Sequence, residues 1–538
     1  MYFVFKKIAL KKTPAFLLSL LSGLLLFVAW PVSPFTFLIF FAFVPLLFLA
    51  EKIANRAQFF GWLYLTLLIW NASTTWWTCI STIPGGIAAI VANSLLMCIP
   101  WIGYYSVKTI SGNRIGYISL IFFWLAFEYI HLNWELSWPW LTLGNVFATH
   151  PNLVQWYEFT GTSGGSFWVL LINVLVFIFI KKNIQQSTNN IKYSIAIFFI
   201  LLIPVLFSFL LIKNPAIINE KKPATNIVLV QPNIDPYNEK FAEGSEGLQL
   251  QKLIQLSETQ IDSQTELVVW PETAISIDIN EDSIKQSNFL IPLWNFLKRH
   301  PKINLLTGME GFRLYNENNK TEYAQKIPNS NKYVDSYNSA VLMDSNNFQV
   351  YHKSKFVPGA EKLPTFLHFL DSWFEKFGGI TSGYQGQTDR TVLKTFNNTY
   401  SIAPSVCYES IYGEFMSKFI SNGANIIAII TNDGWWGNTA GYKQHENYAR
   451  LRAIETRHWV VRSANTGITC FINPAGEVIN PQPWNIATAI KMDVPVINTE
   501  PTFFVKHGDF ISKISIAFAV LLFIFNLVKF INKKRKRG

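Results

Sequence analysis

Ser401-Ile402-Ala403-Pro404-Ser405-Val406-Cys407-Tyr408-Glu409-Ser410 reads as a short β run that stops at a cysteine and passes into a helical pattern, Ile411-Tyr412-Gly413-Glu414-Phe415. A strand that hands over to a helix exposes its last side chain and points backbone N–H groups at whatever binds there. Cysteine is a good nucleophile, and a neighbouring base raises its thiolate fraction. A single cysteine is more often a buried structural thiol, so the rest of the chain has to decide between the two.

Outward from this stretch, short β-rich runs alternate with helical ones from Ala224 onward. The runs 226–231, 267–270, 303–307, 339–343, 401–406, 425–431 and 467–472 predict strands. Helices are predicted near 247–261, 283–299, 411–421 and 442–457. Such alternation implies an α/β or layered αββα domain with a substantial core. The sequence has no GxGxxG or Walker loop, no HExxH and no GxSxG elbow.

The first part of the chain has a different texture. Of the 538 residues, 50% are hydrophobic and only 15% charged, a balance that points to a membrane part joined to a polar one. Apolar runs of spanning length lie at 14–30, 34–50, 59–77, 87–107, 115–132, 166–180, 194–212 and 511–531, about eight spans in all. The run at 166–180 is the shortest. Lys6, Lys7, Lys11 and Lys12 precede the first run, and Lys52, Arg56, Lys108, Arg114, Lys181, Lys182 and Lys192 follow in alternate loops. The positive-inside rule then places both termini in the cytoplasm and the polar domain outside. The formal charge of +11 is topological, with its basic tail at 533–537, and does not indicate nucleic acid. Cys79, Cys98, Cys407 and Cys470 suggest neither a disulfide framework nor a zinc site, and Cys470 reads as core. Glu128 is the one acidic residue near an apolar centre, expected either to make a structural contact with His131 or another helix or to take part in substrate handling, and Trp138 and Trp140 read as interfacial belt residues. The expected domains are thus 1–213, 220–505 and a last span at 511–532 with its tail to 538.

Three strand ends carry reactive groups. Leu267-Val268-Val269-Trp270-Pro271-Glu272 ends in a carboxylate, Gln349-Val350-Tyr351-His352-Lys353 supplies a lysine, and the third is Cys407. A base, a cation and a nucleophile are what acyl transfer requires. His445 and His458, by contrast, read as helix-face or capping groups.

In that order, Trp270-Pro271-Glu272, Tyr351-His352-Lys353 and Cys407-Tyr408-Glu409 resemble the Glu–Lys–Cys triad of the nitrilase, or carbon–nitrogen hydrolase, superfamily. Seven spans before such a domain and one after it resemble the apolipoprotein N-acyltransferase family in particular. Further matches are Val230-Gln231-Pro232-Asn233-Ile234, Tyr337-Asn338-Ser339, Val357-Pro358-Gly359-Ala360-Glu361 and Asn432-Asp433-Gly434-Trp435-Trp436-Gly437. The resemblance implies a nitrilase-like αββα domain in which Glu272, Lys353 and Cys407 are catalytic and Glu361, Tyr408 and Glu409 support them. It marks Phe241, Asn338 and Trp435 as candidates for substrate binding. It implies acyl transfer from a membrane phospholipid, typically phosphatidylethanolamine, through a Cys407 thioester to the α-amine of a diacylated apolipoprotein, with no metal or other cofactor. A monomer in the bacterial cytoplasmic (inner) membrane, with its catalytic domain on the periplasmic side, is expected. The rival readings are a membrane-tethered amidase or nitrilase using water, and a non-catalytic receptor or transporter. Residues 364–377, rich in Phe and Leu, are expected to form an amphipathic lid helix or a helix packed on the core.

Overall fold

The computed structural model describes residues 13–185, 190–213, 224–321, 324–370, 383–496 and 500–536. It divides into two compact units: Met1–Cys79, Ile83–Ile212 and His507–Gly538 form one, and Ile80–Thr82 with Lys213–Lys506 the other.

The first unit is helical. Among the described residues, five helices are long and apolar enough to cross a membrane: Ile83–Ser111, Asn113–Leu132, Tyr157–Ile184, Ile191–Ile212 and Phe510–Arg535. Ala15–Ala29 is shorter, and Arg56–Thr75 is a further long helix. The run expected at 34–50 is not one helix but three pieces, Thr36–Leu38, Ile39–Ala42 and Val44–Lys52. Pro45 at the start of the last piece removes a donor, and the buried Asn173 repairs the break. Its amide oxygen accepts from the Phe43 N–H (2.8 Å) and its amide nitrogen donates to the Ile39 carbonyl (2.8 Å). Irregular backbone in an apolar unit survives only when satisfied in this way. The run expected to be shortest, 166–180, belongs instead to the 28-residue Tyr157–Ile184, kinked at Gly161. Its first turns carry Glu158, Thr160 and Ser163, which hide the helix from a hydropathy scan.

Glu128 does not pair with His131. It accepts from Trp124 Nε1 and from the Leu143 N–H, both at 2.8 Å, whereas His131 meets Asn93 (2.9 Å) and Trp134 (2.9 Å). Nor is Trp140 a belt residue: it is buried against Trp77, ring centroids 4.7 Å apart. Ile191–Ile212 and Phe510–Arg535 remain largely exposed along apolar faces.

The second unit is built on strands β1 (Ala224–Gln231), β2 (Thr265–Val269), β3 (Ile275–Asn280), β4 (Asn304–Asn316), β5 (Gln325–Lys326), β6 (Lys332–Met343) and β7 (Phe348–His352). These are followed by β8 (Leu393–Lys394), β9 (Ser401–Val406), β10 (Ile426–Thr431), β11 (Val460–Ala464), β12 (Cys470–Ile472), β13 (Val478–Ile479) and β14 (Thr488–Pro495). One sheet runs β14-β1-β2-β4-β6-β5, with β3 on β4 and β7 on β6; the other runs β13-β12-β11-β10-β9-β8. Parallel pairs β1–β2, β2–β4, β9–β10 and β10–β11 place their carboxyl ends together, where loops carry function in α/β sheets. The sheets face each other, Ser463 Oγ donating to the Val230 carbonyl at 2.7 Å.

Val228, Val230, Val268 and Leu305 turn outward onto helices Glu246–Glu258 and Ile291–Arg299, burying Leu250, Leu253, Leu293, Phe296 and Leu297. Each such side chain contributes about 1.5–3 kcal/mol. Helices Gly413–Ser421 and Ala440–Thr456 pack on the second sheet, giving the layered α/β architecture. The helix expected over 283–299 begins instead as 3₁₀ turns and becomes α only at Ile291. Of the segment 364–377, Thr365–Leu370 is a 3₁₀ turn, and residues 371–377 lie outside the described residues.

Candidate active site

Cys407 sits one residue beyond β9 with φ +53, in the left-handed region that a non-glycine residue adopts at a cost. The strand leading to it carries Pro404, which cannot donate to a ladder. Partner β8 reaches only Ser401 and Ile402, so Pro404 lies where that side of β9 is already an edge. Tyr408 is buried in the 3₁₀ turn Cys407–Ile411 that Cys407 starts.

Glu409 ties this turn to the segment after β7. Its Oε2 accepts from the Val406 N–H (2.9 Å). Its Oε1 accepts from the Ser354 N–H (2.6 Å), the Lys355 N–H (3.2 Å) and the Tyr351 hydroxyl (2.8 Å). Glu409 thereby braces the backbone just after Lys353 and just before Cys407. Burial raises its carboxyl pKa, against these donors.

Lys353 is fully buried and donates to Glu272 Oε1 (3.0 Å) and Glu361 Oε1 (2.6 Å). Burial alone would lower its pKa, but the two carboxylates outweigh it and hold the ammonium well above its ordinary range. Glu272 also accepts from Asn338 Nδ2 (2.9 Å) and, through Oε2, from the Asn432 N–H (3.1 Å). Burial pushes the Glu272 carboxyl up, but Lys353 and Asn338, with Lys240 further off, bring it below its usual value. Glu361 is fixed by the Val357 N–H (2.8 Å), and burial leaves its carboxyl above the usual value despite Lys353. At Cys407 burial raises the thiol strongly, the Glu272 charge adds to this, and Lys353 offsets only part. The resting site is therefore a thiol beside a carboxylate and an ammonium.

Asn338 thus holds the Glu272 carboxylate. Phe241 is exposed and stacks on Trp435, centroids 6.3 Å apart and planes 25° apart, and Tyr237 meets the same indole edge-on at 5.2 Å.

Beneath Cys407 lies a cluster that sequence patterns miss. His445 does not cap a helix: it is fully buried, with Nδ1 2.9 Å from Asp433 Oδ1 and Nε2 3.1 Å from the Cys407 carbonyl and 3.0 Å from Ser410 Oγ. Arg462 closes on the other Asp433 oxygen at 2.5 Å, and Thr431 Oγ1 donates to Oδ1 at 2.8 Å. Ligand atoms of Cys407, Asp433 and His445 fall within 4.8 Å of one another, the spacing of a metal site. Both Asp433 oxygens and both His445 nitrogens already have protein partners, and a guanidinium supplies the cation. The cluster is a strut under the Cys407 turn. His445 stands twelve residues from Asp433 and Arg462 a further seventeen from His445, so no local spacing links them.

The apolipoprotein N-acyltransferase N-terminal domain model matches residues 22–175, and the carbon-nitrogen hydrolase model matches 228–501. An apolipoprotein N-acyltransferase of Chlorobaculum tepidum is 31% identical over 94% of this chain and 95% of its own length. The chain belongs to the apolipoprotein N-acyltransferase family. It is an acyltransferase of the carbon–nitrogen hydrolase superfamily. Another apolipoprotein N-acyltransferase, from Rickettsia prowazekii, is 28% identical over 76% of each chain. Among solved structures, Saccharomyces cerevisiae Nit3 of the nitrilase superfamily covers 51% of this chain and 90% of its own, at 15% identity and a TM-score of 0.36. Within this family member, the positions singled out by the resemblance converge: Glu272, Lys353, Glu361 and Asn338 form one hydrogen-bonded group, whose charges act on Cys407.

Proposed function

We propose that this acyltransferase works in two half-reactions with Cys407 as acyl carrier. Glu272 takes the thiol proton as the sulfur attacks an ester carbonyl of a membrane phospholipid, phosphatidylethanolamine being the expected donor. Lys353 and the Tyr408 N–H stabilise the oxyanion, a contribution of roughly 3–4 kcal/mol per donor. Glu272 returns the proton to the departing alkoxide, leaving a thioester and a lysophospholipid. The α-amine of a diacylglyceryl-cysteine then attacks the thioester; Glu272 accepts the amine proton and protonates the leaving thiolate, restoring the thiol. The product is an amide on a lipoprotein N-terminus.

The observation that carries this reading is the hydrogen-bonded group in which Lys353 joins Glu272 (3.0 Å) and Glu361 (2.6 Å). Glu272 is held as a carboxylate by Lys353 at 3.0 Å, while Cys407 keeps its proton. A base that is ready and a nucleophile that is not yet formed suit a reaction that begins only when an ester carbonyl arrives. Glu361, sharing Lys353, keeps that ammonium in place.

The membrane reading extends to eight spans over 14–212 and 511–532, flanking a catalytic domain at 220–505, in a monomer of the bacterial inner membrane. Its support is that Lys108 (3.2 Å) and Lys181 (2.8 Å), from two loops assigned to the cytoplasmic side, meet on Glu51 from a third. The catalytic domain would then face the periplasm. The exposed Phe241, stacked on the half-buried Trp435, supplies an aromatic pair suited to an acyl chain.

Intact mass spectrometry after incubation with phospholipid alone tests the scheme. Wild-type protein should gain one acyl mass, and added diacylated lipopeptide should discharge it as a triacylated product. Discharge to free fatty acid without lipopeptide product would favour a hydrolase, and an adduct that persists in Cys407→Ala would overturn the thioester.

A further inference from the structure

Lys240 is a buried cation that this scheme does not use. It lies on the loop after β1, with its backbone held on both sides: its N–H donates to the Asp235 carbonyl (2.9 Å), and its carbonyl accepts from Gln249 Nε2 (3.0 Å). Its side chain is 4% exposed, and Nζ donates to Thr273 Oγ1. Thr273 is the residue after Glu272 and has φ +47, a left-handed conformation that a β-branched residue adopts only when its surroundings impose it. The packing around this turn is tight, since a Cβ on Gly308 would lie 2.6 Å from Glu272 Cα. A hydrogen bond from Lys240 is therefore one of the contacts that fix where Glu272 starts.

We propose that Lys240 is a positioning residue for Glu272, which pins the turn carrying the carboxylate and keeps that carboxylate charged. The proposal rests on the reading of Glu272 as the base.

The charged groups around Lys240 fit this role. Glu272, from the turn after β2, and Glu310, from β4, act on it directly. Behind Glu272 stand Lys353 and Glu361, and beside Glu310 stand Asp278 and the Tyr384 hydroxyl. Burial outweighs both carboxylates and brings the Lys240 ammonium down to about 8, so it is predominantly charged at neutral pH. In turn its charge is one of those that lower the Glu272 carboxyl. The acid side of acyl-enzyme formation, where Glu272 takes up a proton from solvent, therefore depends on Lys240.

The test is the rate of acyl-adduct formation on the full-length enzyme in detergent, read by mass spectrometry from pH 4 to 8 with phosphatidylethanolamine as donor. Lys240→Gln retains a donor for Thr273 but loses the charge. Its acid limb should move to higher pH by about half a unit or more, whereas Lys240→Arg should keep the wild-type limb. An acid limb in Lys240→Gln that coincides with wild type overturns the proposal, whatever the plateau rate. Should Lys240→Gln not purify as a monodisperse species, Thr273→Val supplies the test. Losing the anchor but not the charge, it should slow adduct formation about tenfold with the limb unmoved, and a wild-type rate overturns the pinning. Glu272→Gln, run alongside, separates the two readings. It should form no adduct, and an adduct there at the wild-type rate would refute the base itself.

Discussion

Replacing Asp433 by asparagine removes one negative charge from a cluster that solvent does not reach. Burial alone would raise the Asp433 carboxyl, but Arg462 and His445 outweigh it and bring it to about 2, against an ordinary 3.8. By linkage that difference corresponds to about 2–3 kcal/mol of folding stability at neutral pH. The asparagine also leaves Arg462 buried without its carboxylate, and breaking such a pair costs about 3–5 kcal/mol. At roughly 2 °C per kcal/mol for a unit of this size, the apparent melting temperature should fall by about 6–10 °C. The sign with pH follows from the depressed pKa. The contribution is complete above the unfolded value and is lost as pH falls through the folded one, so wild type should lose it between about pH 4 and 2. Asp433→Asn should show no such component there. Thermal unfolding in detergent, monitored by intrinsic fluorescence across that window, measures both. Asp262→Asn, which breaks an exposed pair with Lys491, is the control and should leave the melting temperature in place. A variant that melts within 1–2 °C of wild type at pH 7 would refute the strut.

Other substitutions probe neighbouring contacts. Gly308→Ala places a Cβ 2.3 Å from the Thr273 nitrogen, so the Glu272 turn must shift; stability should drop by about 1–3 kcal/mol and acyl-adduct formation should slow, seen by melting and mass spectrometry. Tyr351→Phe removes one of four donors to Glu409 and should cost about 1–1.5 kcal/mol of stability while leaving the adduct detectable. Lys353→Met strands two buried carboxylates, and adduct formation should fall by about a hundredfold or more. Because Glu272 is held below the ordinary glutamate value, the wild-type rate should keep its plateau down to about pH 5.

Much of the site was legible because chemistry and secondary structure coincide at strand ends. Glu272 and Cys407 each follow an apolar β run and Lys353 a more polar extended one, and a strand end exposes what comes next. Strand lengths were less legible. Apolar runs at 303–307 and 339–343 mark only parts of β4 and β6, which continue as a thirteen- and a twelve-residue strand through more polar residues of mixed burial. Strand β11 escaped notice because Arg462 interrupts its apolar pattern, and only the distant Asp433 neutralises it. The same blindness hid His445, whose helix shows its face to the Cys407 carbonyl only after folding. In the helical unit, hydropathy cannot tell a continuous helix from one broken at Phe43 and mended by Asn173, since the composition is the same.

The protonated state of Cys407 bears on how the molecule survives its surroundings. Peroxides and disulfides attack the thiolate, and a sulfur whose acidity is suppressed presents little of that form. Resistance to oxidation follows from the same burial that delays the chemistry.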